Sequence, residues 1–335
     1  MTTLSLAKKL SMATAGAAFM AMGIVSSVQA FTLNNGFGDG TLNVNADGYG
    51  SFGSVVGSTT STASYDPVGP GGPASTVFDS GVAIRFGSTG SRQFLSSGSI
   101  GGSGYLANPT VTGSNTSANS SFTYNGLLFS LQQILTPTYT NGAQTGSTLA
   151  QTYNVTNTTN SAINFELLRY IDADLYFDGQ LYDGGGRLAG NGSEVLFETD
   201  SAIGSNDPTT FVGISANGGT IPVTGRYEIN SYSGLRSRII AGTDLGNTVV
   251  GDGVDADQFI DAGNSYDVTM ALNNLFSLES GGSTVYTTNT YFGSGAPVSV
   301  IVPEPGSTLG LLALSALGGG SIFKRRQQQK AVAKA

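Results

Sequence analysis

The stretch DADLYFDG, Asp172 to Gly179, carries Asp172, Asp174 and Asp178 at even spacings, with Asp183 close behind. Alternate residues of an extended strand share a face, so these three carboxylates are expected to point the same way. Clustered carboxylate oxygens are hard ligands suited to calcium. The spacing is not that of an EF-hand, because Tyr176 stands at the fifth position and the glycine comes late. The same residues also read as a solvated strand end followed by an Asp-Gly turn. A second stretch, GDGVDADQFIDAG, offers Asp252, Asp255, Asp257 and Asp261, with Val254 and Ala256 where an EF-hand would place ligands. An ordinary surface loop explains it as well, since Asp favours turns. The two sets are candidates for one shared calcium site or for separate ones.

Paired carboxylates can also run glycoside hydrolysis, which needs an acid and a base or nucleophile. Glu166, Glu194, Glu198 and Glu228 are available, and EVLFE puts Glu194 and Glu198 on one face of a strand. A solvated strand face is the expected reading of that pair. Composition narrows the chemistry further. Between Phe31 and Val302 there is no Cys, His, Lys or Trp. That removes disulfides, a thiol nucleophile, a Ser-His-Asp triad, His-based zinc sites and a Schiff-base lysine. The lack of Trp weakens sugar stacking, although Tyr can substitute. The same segment holds seven arginines against 21 acidic residues, a net charge of −14. Phosphate binding needs a basic surface, so no nucleic-acid partner is expected. The balance points to a non-catalytic body.

The elements that must position these groups read as strands. Val82, Ile84 and Phe86 alternate, as do Leu127, Phe129 and Leu131 after Asn125-Gly126, a hairpin signal. Tyr153 and Val155 share a face. After a turn at Asn157 to Asn160, so do Ile163, Phe165, Leu167, Arg169 and Ile171. Gly281-Gly282 separates two further strand-like runs. Phe165, Leu167 and Ile171 are expected in the core. No body segment keeps an apolar stripe at helical spacing, so helix is expected only at the two ends of the chain. The fold expected is all-β, one large antiparallel β-sandwich over residues 31–302, with two smaller units meeting near Ala150 as the alternative.

The two ends differ in kind from the body. Lys8 and Lys9, an apolar run from Leu10 to Val25 and small residues up to Ala30 make a signal helix over residues 1–30, cut after Ala30. Residues 303–335 form a tail in three parts. Pro303, Glu304 and Pro305 come first, then an uncharged apolar segment over 306–323, then Lys324, Arg325 and Arg326. The apolar segment is at the short end of what spans a bilayer, and the basic cluster favours the cytoplasmic side. A short transmembrane helix is expected there, anchoring the chain in the inner membrane.

This tail resembles the PEP-CTERM sorting signal of Gram-negative bacteria, in which a tripeptide, an apolar helix and an Arg-rich end follow in that order. The resemblance implies recognition of Pro303, Glu304 and Pro305 by an exosortase, a membrane-embedded cysteine transpeptidase, and removal of the tail. It also implies association with exopolysaccharide. The expectation is an exported protein, first anchored in the inner membrane, then at the cell surface or in the extracellular matrix, with a structural or adhesive role. A calcium-dependent carbohydrate-binding module is the second reading, and a glycosidase-like enzyme the third.

Overall fold

The structure is a computed structural model that describes residues 30–53, 63–69, 71–177, 183–190, 193–201, 208–249, 259–260, 267–295 and 297. Residues 1–29, where a signal helix is expected, the whole of 303–335, Asp178, Asp252, Asp255, Asp257 and Asp261 lie outside the described residues. Among the described residues no helix is long and apolar enough to cross a membrane.

In chain order the strands are β1 (Phe31–Asn34), β2 (Leu42–Ala46), β3 (Ala63–Tyr65), β4 (Ala74–Ser75), β5 (Val77–Phe86), β6 (Gln93–Leu95), β7 (Val111–Ser114), β8 (Ser117–Tyr124), β9 (Leu127–Thr140) and β10 (Ala143–Asn157). They continue with β11 (Ile163–Ala173), β12 (Gly184–Gly190), β13 (Ser193–Ser201), β14 (Pro208–Asn217) and β15 (Tyr227–Ser231). Helix α1 (Tyr232–Ala241) follows, then β16 (Thr248–Val249), β17 (Phe259–Ile260), β18 (Val268–Leu278) and β19 (Ser283–Ser294). A nine-stranded sheet runs β17-β12-β13-β14-β19-β10-β9-β8-β7, and a six-stranded sheet runs β16-β15-β18-β11-β5-β6. A small sheet, β1-β2-β3-β4, completes the fold. Pairing is antiparallel throughout except for the short β15–β16 contact.

Alternation explains the strands. Along β9, Leu127, Phe129, Leu131 and Leu135 are buried while Ser130, Gln132 and Thr136 are exposed. The hairpin before it turns on Asn125 (φ 45°) and Gly126 (φ 83°), the left-handed pair that a two-residue turn requires. Phe165, Leu167 and Ile171 of β11 meet Leu196, Ile214, Tyr153 and Phe292 of the nine-stranded sheet in one apolar core. Phe165 stacks on Phe276 at 5.1 Å and 11°. Ala150 lies in mid-strand, paired with Ile134 on one side and Asn289 on the other.

Arg169 shares the inward face of β11 and is fully buried. Its guanidinium donates to the Gly81 and Tyr170 carbonyls and to Thr290 Oγ1, beside the Phe52 ring. Burial lowers its pKa to about 10.

Helix α1 corrects the expectation that helix is confined to the chain ends. Its fully buried apolar residues are Leu235 and Ile239, one turn apart, which pack on Leu168 and Tyr170 from the outward face of β11, with Ile240 half-buried beside them. Two residues make too narrow a stripe to stand out from a sequence that also holds Gly234. The helix stops at Gly242, whose φ of 79° is left-handed. A Cβ there would lie 1.8 Å from the Gly90 carbonyl oxygen, so no other residue fits.

Candidate metal centre

Strand β11 ends at Ala173, so Asp172 is its penultimate residue and Asp174 lies just past it, its N–H donating to the Thr76 carbonyl at 3.0 Å. The expectation that both sit within one strand is corrected to that extent. Asp172 pairs with Thr269 of β18, so the antiparallel register brings Asp267, immediately before β18, alongside. One carboxylate oxygen from each of Asp172, Asp174 and Asp267 lies within 4.8 Å of the others. Oxygens about 2.3–2.6 Å from a common ion sit at such separations, so the triad has the spacing of a calcium cradle.

Electrostatics agree that the groups crowd one another. Asp172 is pushed up to about 8 by burial, then by the negative charges of Asp79, Asp267 and Asp174. Burial raises Asp267 to about 6 and also raises Asp174. Asp79, on β5, is raised to about 6 by burial against the opposing pull of Arg236. Arg236 projects from α1 and its Nη1 reaches Asp79 Oδ2 at 3.0 Å and Asp172 Oδ2 at 3.3 Å. Tyr170 donates its hydroxyl to the same Asp172 oxygen at 3.4 Å.

Glu198 lies near the end of β13, in the nine-stranded sheet. Glu198 is fully buried, and among the described residues neither of its carboxylate oxygens has a hydrogen-bond partner. Its pKa is raised well above the ordinary value by burial, then by the charges of Asp183, Asp174, Asp267 and Asp172. Asp183, just before β12, is buried nearby, and Asp200 accepts the Phe177 N–H at 2.7 Å.

The other glutamates are structural. Glu166 takes Arg92 Nε at 2.5 Å and Arg85 Nη2 at 2.9 Å. Glu194 takes Arg187 at 2.7 Å and Arg226 at 2.7 Å. Glu228 accepts from Arg238, Asn230 and the Gly246 N–H. The expectation of a solvated face for Glu194 and Glu198 is overturned: Glu198 is buried and Glu194 largely so, because β13 turns that face toward the core at Leu196. Asp47 is the contrasting satisfied carboxylate. It accepts the N–H groups of Tyr49, Ser51 and Ser97 and the Ser97 hydroxyl, all within 2.9 Å, yet burial still raises it to about 6.

Asp172 and Asp174 were legible as candidates, and the structure brings them together. Asp267, Asp79 and Arg236 were not. The available signal for Asp267 was its position directly ahead of an apolar run, VTMAL, antiparallel to the strand that ends in Asp172. At the opposite end of β11 a cavity of about 620 Å³ opens beside Arg85, Glu166, Asp244 and Asn273.

No family model matches the chain, and no curated protein matches it. Solved structures similar to it include a polysaccharide lyase (TM-score 0.34, 11% identity, 65% of this chain and 26% of that one). Others are a putative kojibiose phosphorylase from human microbiome (0.37, 10%, 89% and 34%) and a galactose mutarotase related enzyme from Lactobacillus acidophilus (0.34, 10%, 79% and 97%). The chain spans about a quarter and a third of the first two. At such TM-scores none of these likenesses bears on activity.

Proposed function

We propose that this is an exported surface or extracellular-matrix protein with a non-catalytic, structural or adhesive role, whose β-sandwich body takes up calcium. The observation that carries the calcium reading is the convergence of Asp172, Asp174 and Asp267 within 4.8 Å. The donors are all oxygen, which suits a hard cation, and the body contains no His or Cys to favour a softer one. The export reading is supported by the signal-like N-terminus and by the order Pro303-Glu304-Pro305, apolar segment, Lys324-Arg325-Arg326, which resembles an exosortase substrate. A cation held by an acidic body also gives a means of bridging to an acidic exopolysaccharide.

The test is thermal melting of the full chain in mild detergent, in chelator, in millimolar calcium and in sodium chloride of matched ionic strength. Binding to the folded state alone raises stability by about 2.7 kcal/mol at a hundred times the dissociation constant. Calcium is expected to raise the midpoint well beyond sodium. Equal shifts mean only screening, and the calcium reading fails.

A further inference from the structure

The cavity at the Glu166 end of β11 has a volume of about 620 Å³, within the range of small-molecule sites. Glu166 pairs with Arg85 of β5 and Leu275 of β18, and Asn273 stands two residues from Leu275, so the four side chains share the outward face of the six-stranded sheet. The segment between β14 and β15 forms one wall. Thr220 exchanges both backbone hydrogen bonds with Leu275, at 2.8 and 2.9 Å, and the Arg226 carbonyl accepts the Asn273 N–H at 2.7 Å. Between these two anchors Asn247 Nδ2 donates to the Val223 carbonyl at 2.7 Å. Pro222 and Thr224 line the cavity, whereas Val223 points to solvent. The wall is therefore in place before any ligand arrives.

The cavity lining holds an acceptor that lacks a donor. Asn273 is 4% exposed, and its Nδ2 donates to Glu166 Oε2 at 3.3 Å. That bond fixes the amide, because the flipped group would set Oδ1 against a carboxylate. Asn273 Oδ1 is buried and has no hydrogen-bond partner among the described residues. Leaving such an atom unmet is costly, so a donor supplied there counts for more than one on open surface. At the mouth Asp244 offers a second acceptor, with its side chain 76% exposed. The charges are already matched. Arg85 donates to Glu166, to Asp244 and to the Gly242 carbonyl, and Arg92 reaches Glu166 at 2.5 Å and Asp244 at 3.9 Å. Two arginines stand against two carboxylates, so neither an anion nor a cation finds an unpaired charge to meet. Leu275 and Pro222 add apolar surface beside these acceptors.

We propose that this cavity binds a neutral sugar unit, whose hydroxyls donate to Asn273 Oδ1 and to the Asp244 carboxylate while its C–H face covers Leu275 and Pro222. A sugar ring is uncharged, rich in O–H donors at its edge and apolar on its faces, which is the complement of this lining. The site lies at the far end of β11 from Asp172 and does not depend on the calcium reading. It gives a structural or adhesive body a direct contact with uncharged glycan.

The experiment is saturation-transfer difference NMR of the full chain, in chelator and in a detergent without a sugar headgroup. The probes are glucose, galactose, mannose and N-acetylglucosamine at millimolar concentration, beside glucuronate and glucosamine as charged counterparts. At least one neutral sugar is expected to bind, and more tightly than either charged probe. Ser277→Trp, an exposed position in the lining, is expected to abolish that binding by filling the cavity. Asp244→Asn is expected to weaken it by about tenfold, the scale of one hydrogen bond to a charged group. The proposal is overturned if no neutral sugar binds, if glucuronate or glucosamine binds as well as the neutral sugars, or if binding survives Ser277→Trp. If Ser277→Trp fails to fold, Asp244→Asn decides, and unchanged affinity in that variant overturns the site. Calcium-dependent melting of the same preparation reports on the triad separately, so either reading can fail alone.

Discussion

Glu166 and Asp172 project from the same outward face of β11, six residues apart, and meet opposite electrostatic fates. Leu168 and Tyr170 lie between them under α1. Glu166 is enclosed by two arginines, Arg85 and Arg92. Asp172 shares a single arginine, Arg236, with Asp79 and is crowded by Asp267 and Asp174. Six residues of strand span about 20 Å, so the two ends act independently. One end is a closed structural ion pair, and the other is short of positive charge.

Glu166→Ala should therefore be severe. It leaves Arg92, buried and lowered in pKa by that burial, with Asp244 at 3.9 Å as its nearest carboxylate. Removing one partner of a buried pair costs about 3–5 kcal/mol. Urea unfolding monitored by far-ultraviolet dichroism should show the midpoint fall accordingly. An unchanged midpoint would mean that water already compensates the arginines.

Asp172→Asn should act in the other direction. Above pH 8, where Asp172 is ionised, it removes one of several crowded negative charges while Arg236 keeps Asp79. In chelator the melting temperature should rise by about 2–4 °C, the shift that ~1 kcal/mol produces in a domain of this size. The same variant should lose most of the calcium-dependent rise. A variant that melts lower in chelator and responds to calcium like wild type would show that Asp172 serves the fold alone.

Stability in chelator should also depend on pH. Asp47, Asp79 and Asp267 are raised to about 6 and Asp172 to about 8, each chiefly by burial. A carboxylic acid raised in the folded state holds a proton that the unfolded chain has already released. The folded state then binds more protons between the unfolded pKa near 4 and these higher values. Its stability contribution is full below about pH 4 and is lost as pH rises through 6 and then 8. Denaturant midpoints in chelator should thus be higher at pH 5 than at pH 8.5. A midpoint that falls on acidification would show that the carboxylates are held ionised.

The sheets were largely legible because period-two burial is local. Leu127, Phe129 and Leu131 announce their face without help from any other strand, as do Phe165, Leu167 and Ile171. The site was half legible for the same reason. Asp172 and Asp174 are neighbours in sequence, whereas Asp267 arrives only through the β11–β18 register. Helix α1 was hidden because only Leu235 and Ile239 are fully buried under it, and Arg236 is committed to Asp79, far away in sequence. Arg169 was placed on its correct face by parity alone, but its burial among aromatic rings and carbonyls depends on contacts that parity does not contain.

Core packing gives a further check. The Phe165 ring is 2% exposed and stacked on Phe276, which in turn meets Tyr286 edge-on at 5.7 Å. Phe165→Ala removes one member of this chain between the sheets and should cost about 3–5 kcal/mol. Urea unfolding should register the loss with an unchanged slope. A loss below about 1 kcal/mol would mean that the ring is not held between the sheets as described.

The chain ends carry the last prediction. On the proposed export reading, an apolar segment over 306–323 followed by Lys324, Arg325 and Arg326 is expected to stop transfer with the basic cluster on the cytoplasmic side of the inner membrane. On the same reading the body is then released, with Pro303-Glu304-Pro305 as the proposed boundary of release. The mature protein from its native host is expected to begin near Phe31 and to lack everything after the Pro303 region, measured as intact mass. Replacing Glu304 should leave the full tail attached and the protein in the inner-membrane fraction, provided that the tripeptide is what the processing enzyme reads. A secreted species that still contains Arg325 and Arg326 would overturn the processing. A Glu304 variant released as well as wild type would show that the apolar segment and basic end are recognised without the tripeptide.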